Sequence, residues 1–405
     1  MKEPVMEILV DAVPLTGLQT GIGRYVRNLY RALEQSPELS ARCRIHYFDG
    51  RVLRRHPPAA ANPARWTALT DALWKLPDPA VVTLRAMHWL NYERRLRRVC
   101  RSGRYDIYHE TSFFPAAQTT VPTVFNIFDF SLERYAHTHP RERVWFHRLF
   151  FRRRLAYADH ILTLSRFVLE EVRSRLALTE DQVSAVPLAP DPVFRPVPPQ
   201  EVDRVRRRFG LDGPYLLFVG SLEPRKNLRG VLKAWRRMER PTALVLTGWQ
   251  AWGDKKWLQA PENGSQGSAD RNHPHPVLTG YVDDATLAAL YTGATALVYP
   301  SLYEGFGLPI VEAMACGCPV VCSRTSSMPE VAGDAALLVD PRNADELAAA
   351  LDRVVGDEAV RRELVQRGLE RACHFTWKKT AQATLHVFRR TAERGPCRLL
   401  SSRIS

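Results

Sequence analysis

Short apolar runs alternate with helix-like segments along the whole chain of 405 residues, and this alternation constrains the fold more than any other feature of the sequence. Most of the runs are continuously apolar. Strands that helices cover on both faces have this composition, so the runs predict parallel sheets flanked by helices. The predicted strands are Glu7–Val10, Arg44–Phe48, Ile107–His109, Thr123–Ile127, His160–Leu164, Tyr215–Val219, Ala243–Thr247, Val277–Leu278, Ala296–Tyr299 and Val320–Cys322.

A proline-rich stretch from Pro187 to Pro199 interrupts the alternation and predicts a linker between two domains. We expect one doubly wound α/β domain over residues 1–190 and a second over residues 191–374, with a final helix at about 375–395 that packs back on the first. Ligands of such sheets bind beyond the carboxyl ends of the strands, so two facing domains would share one cleft. Residues 53–90 are expected to form a loop with short helices over its rim.

The chain is strongly basic, with 57 Lys and Arg residues against 43 Asp and Glu residues and a formal net charge of +14. Arginine is concentrated in the segment Arg141–Leu155, where it is interleaved with aromatic and aliphatic residues. This pattern predicts an amphipathic helix with a basic face, suited either to an anionic membrane surface or simply to solvent. No nucleic-acid motif accompanies the charge, so we expect no nucleic acid partner.

The sequence predicts a cytoplasmic protein. No uncharged apolar stretch reaches the roughly 18 residues needed to span a membrane, and the N-terminus lacks the features of a secretion signal. Seven cysteines without zinc-site spacing predict free thiols in a reducing compartment.

Two carboxylates come after the predicted strand Ala296–Tyr299. Glu304 lies in the loop that follows it, and Glu312 lies in the next predicted helix. Gly305 and Gly307 allow a sharp turn, and Pro309 suits the first turn of a helix. The N–H groups of the loop and the helix N-terminus predict an anion site suited to a diphosphate. Glu304 is expected to reach a sugar ring, and Glu312, in the first helical turn, a ribose.

A second loop follows the predicted strand Tyr215–Val219, begins at Gly220 and delivers Arg225 and Lys226 just before a helix that starts near Leu228. Adjacent Arg and Lys side chains at the mouth of a sheet can hold a diphosphate from two sides. The spacing is not that of a P-loop.

A third loop follows the first predicted strand and contains Gly21, Gly23 and Arg24. Val26 stands where a dinucleotide fingerprint has its third glycine, so a nicotinamide cofactor is not favoured. We expect a glycine-rich loop that faces the cleft, with Arg24 available to a phosphate or an acceptor.

Together these motifs resemble those of the retaining nucleotide-sugar glycosyltransferases of family 4, which have the GT-B fold. The resemblance rests on Glu304 and Glu312 around a Gly-Phe-Gly-Leu-Pro core, preceded by the segment Gly220–Asn227. Similar segments extend over most of the chain, among them Gly21–Tyr25 and Ser326–Val331. The C-terminal motifs are most similar to those of bacterial mannosyltransferases that build O-antigen or exopolysaccharide.

The resemblance implies a role for each matching residue. Arg225 and Lys226 would bind the donor diphosphate. Glu304 would contact the donor sugar hydroxyls, and Glu312 the ribose. The other donor-binding positions would be Gly21, Gly23, Arg24, Gly220, Tyr281, Val282, Gly305, Phe306, Gly307 and Leu308.

The chain departs from the family pattern at Phe128, where many members have His, and at Thr111, where some have another His. His109 is the remaining candidate for a catalytic imidazole, and Asp129 is an alternative to it. For both residues a structural hydrogen-bonding role is an equally good interpretation.

The predicted reaction is transfer of a hexosyl group, mannosyl by preference, from a nucleoside diphosphate sugar to a saccharide or lipid-linked saccharide. The resemblance implies GDP-mannose as the favoured donor and a UDP sugar as the second. It also implies that no metal is needed, since Arg225 and Lys226 would neutralise the leaving diphosphate. Two alternatives stay open: a GT-B epimerase or small-molecule glycosyltransferase, and an inactive GT-B binding or scaffold protein. The segment Arg141–Leu155 is expected to contact the inner face of the plasma membrane beside a lipid-diphosphate-linked acceptor.

Overall fold

The computed structural model describes residues 4–17, 21–59, 76–112, 114–249, 275–397 and 399. The chain divides into two compact units. The first consists of Met1–Leu188 together with Trp377–Ser405, and the second of Ala189–Thr376. Each unit is built around one β-sheet.

The described part of the first unit contains a seven-stranded sheet. Its strands are β1 (Met6–Asp11), β2 (Cys43–Phe48), β3 (Leu53–Arg54), β4 (Ile107–Glu110), β5 (Thr123–Asn126), β6 (His160–Thr163) and β7 (Val183–Ala185). They lie in the order β3-β2-β1-β4-β5-β6-β7. All pairings are parallel except that of the short edge strand β3 with β2.

The α-helices of this unit up to its last strand are Gly21–Gln35, Pro37–Ser40, Asp78–Ser102, Ser131–Arg134, Arg141–Leu155 and Arg166–Leu176. They cover apolar strand residues such as Leu9, Phe125 and Ile161, which are completely or almost completely buried. The predicted helix Arg141–Leu155 is present with the expected bounds. None of the helices in the described ranges is both long and apolar enough to cross a membrane.

The expectation of a loop with short helices over residues 53–90 is wrong from Asp78 onward, where a helix of 25 residues begins. Pro79 lies in its first turn, where a missing N–H costs nothing. Tyr92, Leu96 and Cys100 are spaced four residues apart and are buried on one side of the helix. Residues 60–75 lie outside the described residues.

The second unit, in its described part, contains a six-stranded sheet in which every pairing is parallel. Its strands are β8 (Tyr215–Val219), β9 (Ala243–Thr247), β10 (Val277–Gly280), β11 (Ala296–Tyr299), β12 (Val320–Ser323) and β13 (Leu337–Val339). The order is β10-β9-β8-β11-β12-β13. The helices are Pro199–Phe209, Leu228–Trp235, Asp284–Gly293, Leu308–Ala315, Met328–Ala332, Ala344–Gly356 and Glu358–Ala372.

All ten predicted strands are present, with ends that agree within two residues. Three more strands were not predicted: β3, β7 and β13. Each has only two or three residues, which is too short for a periodic signal. The alternation of buried strands and helices thus confirms two parallel-sheet α/β domains.

The helix Trp377–Arg394 belongs to the first unit, where it packs against the helix Gly21–Gln35. Thr380 Oγ1 donates a hydrogen bond to the carbonyl of Pro187 at 2.8 Å. Phe388 is fully buried, and its ring centroid lies 5.0 Å from that of His109. The last helix of the chain therefore contributes to the core of the first unit.

Phe388→Ala is expected to destabilise the first unit by about 3–5 kcal/mol, because it removes a fully buried aromatic ring from a packed core. Urea denaturation followed by circular dichroism measures the loss. Gln382→Ala, at an exposed position of the same helix, is the control and should leave the midpoint nearly unchanged. Equal midpoints for both variants would show that the helix contributes little to the unit.

Candidate functional site

The candidate site lies in the second unit, at the carboxyl edge of its sheet. From β8 the chain proceeds to β9 and β10 on one side, and from β11 to β12 and β13 on the other. The loops that follow β8 and β11 therefore leave the sheet side by side and diverge, which is the position where open α/β sheets bind ligands.

The loop after β8 is fixed by its own backbone and by contacts to the neighbouring loop. Gly220 has a φ of +150°, and a β-carbon there would lie 3.7 Å from Cε of Lys226. Pro224–Lys226 form a single turn of 3-10 helix, and the predicted helix begins at Leu228. Asn227 Nδ2 donates to the carbonyls of Pro300 at 3.1 Å and Pro341 at 2.6 Å. These bonds tie the loop that carries Arg225 and Lys226 to the segments that follow β11 and β13.

Four charged side chains meet in this place: Glu223, Arg225, Lys226 and Glu304. Lys226 Nζ lies 2.6 Å from Glu304 Oε1, and Arg225 Nη1 lies 3.1 Å from Glu304 Oε2. Arg225 Nη2 donates to Glu223 Oε1 at 2.5 Å, and its Nη1 donates to the carbonyl of Tyr303. All four residues are buried. We name this group the charge cluster.

The charge cluster balances two cations with two carboxylates. Burial by itself would raise the pKa of Glu304, but the attraction of Lys226 and Arg225 outweighs it and lowers the pKa to about 2. Glu304 is therefore ionised throughout the physiological range. The arrangement holds two strong hydrogen-bond donors and an acceptor in one buried place, which can bind a diphosphate beside a hydroxylated ring.

Two serines after β12 fix the loop that carries Glu304. Ser326 Oγ accepts a hydrogen bond from the backbone N–H of Glu304 at 3.0 Å. Ser327 Oγ lies 2.9 Å from the carbonyls of both Glu304 and Phe306. Gly307 has a φ of +101°, and a β-carbon there would lie 3.1 Å from Ile310 Cδ1. These contacts fix the backbone of this loop.

Glu312 lies one step deeper than the sequence indicated. The helix begins at Leu308, so Glu312 is its fifth residue and not part of the first turn. It is 2% exposed, and the hydroxyl of Tyr291 donates to its Oε2 at 3.2 Å. The prediction of a first-turn carboxylate is wrong because Gly307, not an earlier residue, is the N-cap.

The other donor-binding candidates of this unit fall into two places. Gly305 and Phe306 are buried in the loop beside Glu304, and Leu308 is half-buried at the helix start. Tyr281 and Val282 follow β10, two strands away from β8. The ring of Tyr281 is exposed, whereas Val282 is buried.

The candidates of the first unit differ from the expected glycine-rich loop. Gly21 and Gly23 are the first and third residues of the helix Gly21–Gln35, and Arg24 follows in the same turn. The loop expectation is therefore wrong at these positions, since the helix forms despite two residues of low helix propensity. A β-carbon at Gly21 would meet no atom within 4 Å, so the space beside it is open. Residues 18–20 of the predicted loop lie outside the described residues.

His109 lies at the carboxyl end of the first unit's sheet, fully buried in β4. Its Nδ1 lies 2.6 Å from the hydroxyl of Tyr30 and its Nε2 lies 2.5 Å from Asn126 Oδ1. Burial lowers the pKa of His109 to about 4, so the imidazole is neutral at pH 7. Asp129 Oδ1 accepts a hydrogen bond from the backbone N–H of Ser131 at 2.7 Å. This geometry favours the structural interpretation for both residues, and the catalytic role of His109 stays a prediction.

Sequence reasoning did not single out Glu223, Ser326 or Ser327 individually as site residues. A signal existed for Glu223, because a carboxylate two residues before Arg225 is a candidate partner for its guanidinium. The serines could not have been found in this way, because only the fold brings them to the loop of Glu304.

Two family models match the chain. One is described as "Glycosyl transferase 4-like domain" and matches residues 20–189, and the other as "Glycosyl transferases group 1" and matches residues 199–371. The chain is 32% identical over 395 residues to the "O-antigen chain mannosyltransferase B" of Escherichia coli, which covers 95% of this chain and 100% of that protein.

A second relative is the "MMP alpha-(1->4)-mannosyltransferase" of Mycolicibacterium hassiacum, 31% identical over 352 residues, or 81% of this chain and 78% of that protein. Among solved structures, the sucrose-phosphate synthase of Thermosynechococcus elongatus matches with a TM-score of 0.70 at 20% identity, over 97% of this chain and 100% of that chain. The structural match shows a shared fold.

Glu304→Gln is expected to lower stability at pH 7 by about 3–5 kcal/mol, because two buried cations lose a shared partner. The folded pKa of Glu304, about 2, lies below its ordinary value of 4.5. Its contribution is therefore complete above about pH 4.5 and is lost as the pH falls towards 2. The wild type should lose about 3 kcal/mol more than the variant over this range. Urea denaturation at a series of pH values measures the difference.

Glu239→Gln, at an exposed position of the same unit, is the matched control and should follow the wild-type pH dependence. Parallel pH profiles for the wild type and Glu304→Gln would contradict the proposed ionisation of the charge cluster.

Proposed function

Because the chain belongs to the family 4 glycosyltransferases and has their GT-B fold, we propose that this nucleotide-sugar-dependent enzyme transfers mannosyl groups from GDP-mannose. The acceptor in this proposal is a saccharide or a lipid-linked saccharide of a surface polysaccharide such as O-antigen. The support is that both relatives named above are called mannosyltransferases and that one of them is named for O-antigen. A UDP sugar is the second candidate donor.

The charge cluster is the observation that carries this proposal. It places Arg225 and Lys226 where the strand order diverges, which is where a sheet of this kind binds a nucleotide. Two buried cations at that position are suited to a diphosphate, whose charge they stabilise more strongly than they would in water. Because they supply this charge themselves, the proposed reaction needs no metal ion.

In the proposed reaction, the bond between C1 of the sugar and the diphosphate oxygen breaks, and its electron pair stays on the diphosphate. Arg225 and Lys226 stabilise the charge that develops on that leaving group. The acceptor hydroxyl oxygen forms a bond to C1, which has oxocarbenium character in the transition state. The acceptor proton passes to the departing phosphate on the same face, so the configuration is retained.

The proposal assigns the remaining donor contacts residue by residue. Glu304 accepts hydrogen bonds from the sugar hydroxyls, and Glu312 accepts them from the ribose. The exposed ring of Tyr281, which is followed in the chain by the buried Val282, offers a stacking surface for the base. Further contacts to the phosphates and the acceptor are assigned to Gly21, Gly23 and Arg24. No proton transfer is assigned to His109, because both of its ring nitrogens are engaged.

The wild-type protein is expected to be stabilised against heat by GDP and GDP-mannose, and Lys226→Ala should lose most of this stabilisation and of mannosyl transfer. A ligand that binds only the folded state at about 100 times its dissociation constant contributes about 2.7 kcal/mol. A thermal-shift panel of nucleoside diphosphates and their sugars, followed by product analysis with labelled donor, makes the measurement. Glu312→Ala should weaken binding of the nucleoside diphosphate in the same assay.

Lys233→Ala is the matched control, since Lys233 is exposed in the helix that follows the loop of Arg225 and Lys226. If only UDP ligands raise the melting temperature, the donor is a UDP sugar and not GDP-mannose. An altered donor sugar without transfer would indicate an epimerase, and transfer only to a small molecule would change the acceptor class. A protein that binds no nucleoside diphosphate at all would be the inactive scaffold, and the proposal would fail.

We further propose that the first unit binds the inner face of an anionic membrane, where a lipid-diphosphate-linked acceptor would lie. On the helix Arg141–Leu155, the exposed positions Arg141, Trp145, Arg148, Leu149 and Arg152 follow one another at helical spacing and form one face. Leu149 is 56% exposed. Exposed apolar side chains flanked by arginines suit a membrane interface.

The neighbouring helix Asp78–Ser102 supports the same proposal. It packs against the helix Arg141–Leu155, and Arg85 Nη2 lies 3.3 Å from Glu142 Oε1 between them. Its exposed apolar side chains are Leu84, Met87 and Leu90. Two packed helices thus both expose apolar side chains. Exposed apolar patches are typical of interaction surfaces.

Sedimentation with phosphatidylglycerol vesicles at low salt is expected to remove the wild-type protein from solution. The double variant Arg148→Glu/Arg152→Glu should bind more than about tenfold more weakly, since each cation near an anionic surface contributes about 1 kcal/mol. Arg204→Glu/Arg207→Glu, with the same charge change on the helix Pro199–Phe209, is the control and should still bind. Equal binding of both double variants, or none by the wild type, would refute this surface.

A further inference from the structure

The hydroxyl of Tyr299 contacts one cation and one carboxylate of the charge cluster. It is the last residue of β11 and is 1% exposed. Its hydroxyl oxygen lies 2.8 Å from Lys226 Nζ and 2.9 Å from Glu304 Oε1. Lys226 Nζ and Glu304 Oε1 are themselves 2.6 Å apart. The three polar atoms therefore form a closed triangle.

The directions of these hydrogen bonds follow from chemistry. An ammonium group can only donate and a carboxylate can only accept. The Tyr299 hydroxyl therefore accepts a hydrogen bond from Lys226 Nζ and donates one to Glu304 Oε1. Lys226 Nζ then donates to both Tyr299 and Glu304, and these two bonds on one side of the ammonium restrict the orientation of its remaining N–H.

Tyr299 differs from its two partners in the element that carries it. Lys226 lies in a 3-10 turn and Glu304 in a loop, whereas Tyr299 belongs to a central strand paired with β8 and β12. Its ring centroid lies 5.1 Å from Nζ. A strand residue therefore restrains a long, flexible side chain that has many rotamers when it is free.

We propose that Tyr299 is a positioning residue for the donor site: its hydroxyl fixes the ammonium of Lys226 so that the remaining N–H points to the donor diphosphate. The inference rests on the proposed function, since it acts through the two side chains assigned to the donor. Removal of the hydroxyl leaves the ring and the packing in place and frees the ammonium to turn towards Glu304 alone. Ordering of Lys226 then has to occur when the donor binds.

Tyr299→Phe tests the inference. The variant should lose at least tenfold in kcat/KM for the donor and bind GDP correspondingly more weakly, while the KM for the acceptor stays unchanged. Tyr215→Phe is the matched control, because it removes another buried hydroxyl of the same sheet that donates only to the carbonyl of Leu290, at 2.7 Å. This control should keep the wild-type kcat/KM. Activities are normalised to the folded fraction measured by circular dichroism.

A double-variant cycle separates positioning from a general loss of stability. If Tyr299 acts through Lys226, the double variant Tyr299→Phe/Lys226→Ala should be no less active than Lys226→Ala. Multiplying losses, or a loss below twofold in Tyr299→Phe, would overturn the inference while the proposed function stands. A wild-type protein that neither binds GDP or UDP nor transfers sugar would instead overturn the proposed function.

Discussion

The second unit depends on a buried set of two cations and two carboxylates. Removing an ion from water is costly, and the attraction of a partner offsets the cost only when geometry and further hydrogen bonds are good. Here Glu304 bridges both cations, Glu223 and the Tyr303 carbonyl complete the contacts of Arg225, and two serines hold the backbone of the Glu304 loop. The folded backbone therefore maintains the charges, and the charges in turn hold two loops together.

Topology explains why these side chains meet. A parallel sheet aligns the carboxyl ends of its strands, and the neighbouring positions of β8 and β11 bring together two loops that are more than seventy residues apart in the chain. The alternation of apolar runs was enough to predict this sheet, and the glycines and charges after its strands were enough to single out two loops that the fold places side by side. The sequence did not predict the three short edge strands, the long helix from Asp78 or the helix that contains Gly21 and Gly23. Short strand pairings and helix starts depend on tertiary contacts.

The partners of the site residues were harder to predict than the residues themselves. Arg225, Lys226 and Glu304 stand in recognisable motifs, whereas Tyr299 looks in the sequence like one more buried strand residue. Its hydroxyl gains meaning only when the turn after β8 places an ammonium 2.8 Å away. His109 shows the converse. It stands at the end of a strand, as a catalytic residue often does, but Tyr30 and Asn126 already occupy its two nitrogens.

In the first unit, the pKa values of two buried carboxylates are shifted in the direction opposite to that of Glu304. Asp11 ends β1 and Glu110 ends β4, which are the two neighbouring strands from which its sheet diverges. Burial raises the pKa of both groups, and for Glu110 the charge of Asp11 raises it further. Hydroxyls and backbone N–H groups surround them, including Ser112 at Asp11 and Tyr108 at Glu110. The pKa of Glu304 is lowered because its contacts are cations, whereas that of Glu110 is raised by burial and by the neighbouring carboxylate. Equivalent positions in the described parts of two similar sheets thus have opposite electrostatics: two carboxylates lie side by side in the first, whereas carboxylates are paired with cations in the second.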